Sequence, residues 1–241
     1  MSDYTFPDDG TETDRHGARS ALYGALAGVF VYPDEDVLAD LTAPEAAEGI
    51  RAAAETLGLS EDAERLLDAL DDTDTESLES SYNDLFGIPG DGGAYEVVPY
   101  EAEYTVGDDV SLAQRRIATV AGLLEAFDLE RSPDFAERHD HLALELELAQ
   151  ILAAQRAASL AADAEDRAAD LERIEAALLD HHLSDFLPSL AIDLRGSTDD
   201  PVYLAAADLA EKLVGADQAA HPPSDVKADA DLSGPAGVSA R

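Results

Sequence analysis

The densest concentration of groups able to do chemistry is the run Arg138-His139-Asp140-His141-Leu142-Ala143-Leu144-Glu145. His141 and Glu145 are spaced i, i+4, so on a helix they share a face. An imidazole and a carboxylate so placed suit a pair of metal ligands or a proton-transfer couple. With His139 and Asp140 beside them, the run invites a metal-dependent hydrolase in which a His-Asp doublet joins further ligands. The remaining histidines, His16, His181, His182 and His221, stand in no ligand-like motif with it. A doublet is a short motif that often arises by chance. Asp140 reads equally well as a cap for the backbone N–H groups of a helix that starts here.

Two other stretches concentrate chemistry. From Tyr82 to Tyr104 the chain reads Y-N-D-L-F-G, a glycine-rich gap, then V-P-Y-E-A-E-Y. Phe86, Tyr95, Tyr100 and Tyr104, with Pro99, offer a surface able to grip an apolar peptide. The plainer alternative is a loop whose aromatics plug the core. The stretch His181-His182-Leu183-Ser184-Asp185-Phe186-Leu187-Pro188 places its two histidines on different helix faces, so they are not a chelating pair by spacing. No Walker loop, GxSxG elbow or HExxH motif occurs.

Composition narrows the partners. Asp and Glu number 53 against 15 Lys and Arg, a formal charge of −38. Such a surface repels phosphate backbones and anionic headgroups, which argues against nucleic acid and membrane surfaces. Adaptation to high salt, as in a halophilic archaeon, explains the acids better than mimicry of nucleic acid, because they are interleaved with Ala and Leu rather than clustered. At molar ionic strength the Debye length falls to about 3 Å. There is no cysteine, which excludes disulfides, thiolate metal sites and cysteine nucleophiles. No run approaches the ~18 apolar residues of a membrane span, and Met1 to Gly10 carry no basic residue. A cytoplasmic protein is expected.

The elements that must position these groups are almost all helical. Alanine is abundant and apolar residues recur at a spacing of three and four, as at Ala18, Leu22, Leu26 and Val29. Asp34 is placed to cap a short helix, Pro44 to begin the next and Gly58 to end it. Helices are expected from about Thr75 to Phe86, Val110 to Phe127, Phe135 to Ala162, Arg167 to Leu183 with a continuation past Ser184, and Pro201 to Val214. The fold class is all-α: one helical bundle of roughly nine or ten helices, interrupted by a long aromatic loop near 87–108. Residues 1–13 read as a flexible N-terminus, 14–215 as the helical domain and 216–241 as a disordered acidic tail whose deletion leaves folding intact.

Taken in order, these stretches resemble the TorD/DmsD/NarJ family of chaperones for molybdenum-containing redox enzymes. The resemblance rests on Tyr82-Asn83-Asp84-Leu85-Phe86-Gly87, Pro99-Tyr100-Glu101-Ala102, His139-Asp140-His141-Leu142-Ala143-Leu144-Glu145-Leu146 and His182-Leu183-Ser184-Asp185-Phe186-Leu187-Pro188, and spans about residues 15–215. Ala102, His139 and Phe186 stand where the family pattern has serine, proline and tryptophan. The resemblance implies an all-α, non-enzymatic protein with no cofactor of its own, monomeric or homodimeric. Its partner would be the catalytic subunit of a molybdoenzyme, bound through a twin-arginine signal peptide or N-terminus while cofactor is inserted before export. The residues implied for peptide binding are Tyr82, Phe86, Pro99, Tyr100, Glu101, Tyr104, Asp140, His141 and Glu145. Aromatic rings would bury the apolar part of the peptide, and carboxylates would pair with its guanidinium groups. The loop and the start of the long helix are expected side by side. The alternative is the hydrolase built on His139, Asp140, His141 and Glu145.

Overall fold

Short-range chemistry sets where each helix starts and stops. The computed structural model describes residues 4–7, 10–87, 95–107, 109–127, 129, 135 and 137–224. Ten helices have eight residues or more: α1 (Glu12–Val29), α2 (Glu35–Thr42), α3 (Pro44–Leu57), α4 (Ser60–Asp71), α5 (Thr75–Phe86), α7 (Val110–Ala126), α8 (Leu142–Ala161), α9 (Glu165–Leu178), α10 (Ser184–Ser197) and α11 (Pro201–Ala220). A five-residue helix, α6 (Glu101–Thr105), lies in the aromatic loop, and a π-helical segment (Leu179–Leu183) joins α9 to α10. Among the described residues there is no strand, and the β-type pairing is one isolated bridge between Tyr100 and His141.

Several boundaries follow directly from side chains. Asp34 and Asp74 accept from the amides of Val37 and Ser77 to open α2 and α5. Pro44 begins α3, and Gly58 ends it in the left-handed region at φ 68°. Thr11 and Asp14 form a reciprocal capping box that starts α1 slightly earlier than its apolar pattern indicates.

The core is a continuous cluster of Leu, Ala and aromatic side chains. α1 runs along α8 and against α3, while α11 packs on α4 and α10. At Gly24 a Cβ would come within 2.8 Å of the Gln150 side-chain amide, which would have to shift. Tyr82 and Phe86 belong to this core, where Phe86 meets Phe30 and Tyr203 at centroid distances of 6.4 and 5.6 Å.

Three expectations need correction. The long helix starts at Leu142 rather than Phe135, because residues 138–142 pair instead with the aromatic loop. The helix expected through Leu183 passes into the π segment just ahead of Pro188, which cannot donate a backbone hydrogen bond within α10. The acidic tail does not begin at 216: α11 continues to Ala220, and Ala216, Asp217 and His221 are buried. Residues 225–241 lie outside the described residues.

The reason for that extension is a buried polar cluster between α1, α8, α9 and α11. Asp217 takes Arg19 at 2.6 Å and the Tyr23 hydroxyl at 2.8 Å. Glu175 takes Arg156 at 2.8 Å, and His221 lies 3.1 Å from Glu175 and 3.3 Å from Asp217. Burial opposes charge on His221, but hydrogen bonds to Asp217 and Glu175 outweigh it and raise its pKa from 6.5 to about 9. Burial and the adjacent Arg19 lower that of His16 to about 3.

These shifts have opposite consequences for stability. The His221 contribution is complete below its unfolded pKa of about 6.5 and fades as pH rises through about 9. The His16 contribution is complete above about 6.5 and fades as pH falls toward about 3. Urea midpoints at constant molar salt should therefore decline on both sides of neutrality, with His221→Gln flattening the alkaline limb alone. An alkaline limb identical in parent and variant would remove His221 from this account.

Candidate functional site

The aromatic loop is tied down at both ends of its described part. The Val97 amide donates to the Leu85 carbonyl at 3.0 Å, linking it to α5. The Glu101 amide donates to Asp140 O at 2.9 Å, and the Leu142 amide to Pro99 O at 2.9 Å. These bonds set residues 99–101 beside 140–142, so the two motif-bearing segments are adjacent as expected.

Asp140 does not cap the long helix. His141 does so, accepting from the Ala143 amide at 3.1 Å through Nδ1. The Asp140 carboxylate instead accepts from the Ala102 amide at 3.2 Å, bracing the start of α6, and from Arg138 at 2.6 and 2.9 Å. Arg138 lies 4.5 Å from the centre of the Tyr100 ring and also bonds Glu103 at 2.8 Å. Burial lowers the His141 pKa to about 4, so it is a neutral cap at pH 7.

Behind this layer lies a fully buried polar group. Glu101 accepts Arg116 on one oxygen and lies 2.9 Å from His182 Nδ1 through the other. Burial disfavours its charge, but His182 and Arg116 outweigh burial and hold the carboxyl below the usual range. Arg116 also bonds the His181 carbonyl and, at 3.2 Å, Asp185. Glu145 lies near Glu101 and His182, and neither of its oxygens accepts a hydrogen bond. Burial, the charges of Glu101 and Asp140 and a hydrogen bond to Glu101 push its carboxyl well above the usual range.

The residues singled out in the sequence thus separate into three environments. Tyr82 and Phe86 sit in the core, in the same cluster as Val97 of the loop. Glu101, Asp140, His141 and Glu145 are at most 1% exposed, and Glu101 and Asp140 are already ion-paired within the chain. Tyr100 is buried and Tyr104 half-buried: Tyr100 bonds Glu137, and Tyr104 rests on Phe186 at 6.1 Å with its hydroxyl 3.1 Å from Asp193. Pro99 is buried and serves through its carbonyl. The hydrolase cluster does not form, since among His139, Asp140, His141 and Glu145 just Glu145 joins a group of possible metal ligands among the described residues.

Sequence reasoning missed a cavity of about 630 Å³ where α10 faces α11 and α4. Leu187, Pro188 and Val214 supply apolar wall, while Asp185, Asp208 and Glu211 supply carboxylates. Its cations are engaged: Arg195 with Asp208 and Glu211, Arg65 with Asp62 and Asp208, and Lys212 with Asp62. Asp185 is 42% exposed and held by Arg116. The Ser184 hydroxyl, also in the wall, is buried without a hydrogen-bond partner. Part of its wall comes from the stretch His182 to Pro188, whose sequence shows no chelating pair and gives no sign of a cavity.

The family model described as nitrate reductase delta subunit matches residues 52–191, which spans every element from the middle of α3 into α10. Comparison with curated proteins finds no match. Among the described residues no helix is long and apolar enough to cross a membrane.

Proposed function

Because the chain belongs to the nitrate reductase delta subunit family of molybdoenzyme maturation chaperones, we propose that it binds an arginine-bearing N-terminal segment of a molybdoenzyme catalytic subunit, in the cavity between α10 and α11. The reading includes a cytoplasmic, salt-adapted protein that holds its client, without catalysing a reaction, while cofactor is inserted. The observation that carries the site is the half-exposed Asp185 carboxylate over an apolar wall. An arginine-bearing segment needs those two things: a partner for guanidinium and apolar area to cover.

The motif residues of the loop and α8 act as bracing in this reading. Glu101 and Asp140 are sealed from solvent and already paired. Taking a client arginine would break a buried ion pair, which costs about 3–5 kcal/mol. Arg116 transmits their position, since it bonds Glu101 on one side and Asp185 on the other. Tyr104 on Phe186 fixes the loop to α10.

Gly215 provides the test. It lies in the cavity wall, and a Cβ there would meet no atom within 4 Å. Gly215→Phe should fill the cavity and weaken binding of a synthetic twin-arginine peptide by about tenfold or more, since about 1.4 kcal/mol of lost contact suffices. Gly215→Ala should bind as the parent does and be more stable by about 0.8–1.0 kcal/mol, the helical preference of alanine over glycine. Fluorescence anisotropy with a labelled peptide reads both. Equal affinity of Gly215→Phe and parent would place the client elsewhere.

A further inference from the structure

Glu101, Glu145 and His182 reach one point from three separate elements: α6, α8 and the π segment. One ligand atom of each lies within 4.8 Å of the other two, and all three residues are at most 1% exposed. Protein contacts account for Glu101, whose two oxygens face Arg116 and His182. Glu145 differs: both of its oxygens are buried and accept no hydrogen bond, and the group it meets is the Glu101 carboxylate itself. Buried carboxylates are ordinarily paired, hydrogen-bonded or bound to metal.

We infer that Glu101, Glu145 and His182 form a binding site for a first-row divalent cation, with zinc the best fit. Two carboxylate oxygens and one imidazole nitrogen, with no thiolate, suit a borderline ion, whereas calcium and magnesium take all-oxygen sets. Donors at zinc-like bond lengths of ~2.0–2.2 Å stand roughly 3 Å apart around the ion. His182 Nδ1 and Glu101 Oε2 already stand 2.9 Å apart. The ion would take the place of the proton between them, and Glu145 would close the third side. Arg116 holds the other oxygen of Glu101 and so orients that ligand from behind. The consequence is mechanical: a bound ion would clamp the aromatic loop, through α6, to α8 and the π segment. The site is separate from the α10–α11 cavity, and the inference does not depend on what that cavity binds.

The test uses the full chain, stripped with chelator and equilibrated in molar KCl, where weak association of zinc with exposed acids is suppressed. Zinc chloride is added, excess is removed by gel filtration, and retained metal is measured together with the thermal midpoint. The parent should retain one equivalent of zinc and melt higher with it. Glu145→Gln, which keeps the shape but not the charge, and His182→Gln should each bind at least about tenfold more weakly, by analogy with losses seen when the support of metal ligands is altered. A parent that retains no zinc overturns the inference, and so does equal retention by parent and variants, which would mark the metal as surface-bound. Should both variants misfold, cobalt(II) added to the stripped parent decides: visible absorption of a nitrogen- and oxygen-ligated ion supports the site, and the spectrum of free cobalt overturns it.

Discussion

Replacing Arg116 by alanine is expected to lower stability by about 3–5 kcal/mol, the usual loss when one member of a buried ion pair is removed. The Arg116 side chain is 8% exposed and its Glu101 partner 0%. Its removal takes the guanidinium from Glu101 and a donor from the His181 carbonyl and from Asp185. Arg116→Lys should recover little, because one ammonium cannot match the planar fork that now serves three acceptors on three elements. Natural domains have about 5–15 kcal/mol in hand, so the alanine variant should lie close to unfolding at moderate temperature. Equilibrium denaturation in molar salt measures this. A decrease below about 1 kcal/mol, the range of exposed ion pairs, would show that the network does not hold the loop. Asp185→Asn is a useful contrast. That carboxylate is 42% exposed, so its loss should barely change stability while weakening peptide binding.

The second large effect concerns the C-terminal end. A chain stopped after Gly215 should be destabilised by at least about 3–5 kcal/mol, because it leaves buried charges without partners. Arg19 and the Tyr23 hydroxyl lose Asp217, and Arg156 and Glu175 lose His221. A chain stopped after Ser224 keeps all of these contacts and should denature like the parent. Asp217→Ala reproduces much of the first effect at a single position, since it strands Arg19 beside His16 and Arg156. Thermal melts of the two truncations, run side by side, settle the matter. If the shorter chain melts with the longer one, the cluster is energetically idle.

Both effects would have been missed without the fold, and the reason lies in the range of the interactions. Helix positions in α1 to α5 were legible because the forces that set them act within four residues. Apolar periodicity selects a face, Asp34 caps α2, and Gly58 takes the left-handed turn that ends α3. The all-α class and the adjacency of the aromatic loop to the start of α8 were legible for the same reason, joined to the order of the motifs. Which carboxylates are buried was not. Among 53 acids, Glu175 and Asp217 carry no local mark that separates them from those on the surface, and the motifs that single out Glu101, Asp140 and Glu145 do not say that they are sealed inside.

Partners decide that question, and the partners are remote in sequence: Arg116 for Glu101, Tyr23 and Arg19 for Asp217, Arg156 for Glu175. The last helix is expected to end near Val214, yet α11 continues to Ala220, since Asp217 and His221 gain buried partners beyond that point. His182 looked poorly placed beside His181 until the π segment brought it to Glu101. The cavity between α10 and α11 is likewise a property of helix packing. The sequence determined which segments are helical and which stretches carry the family's motifs. The tertiary structure decided which charges are sealed inside, which carboxyl groups meet one another and where a space is left open.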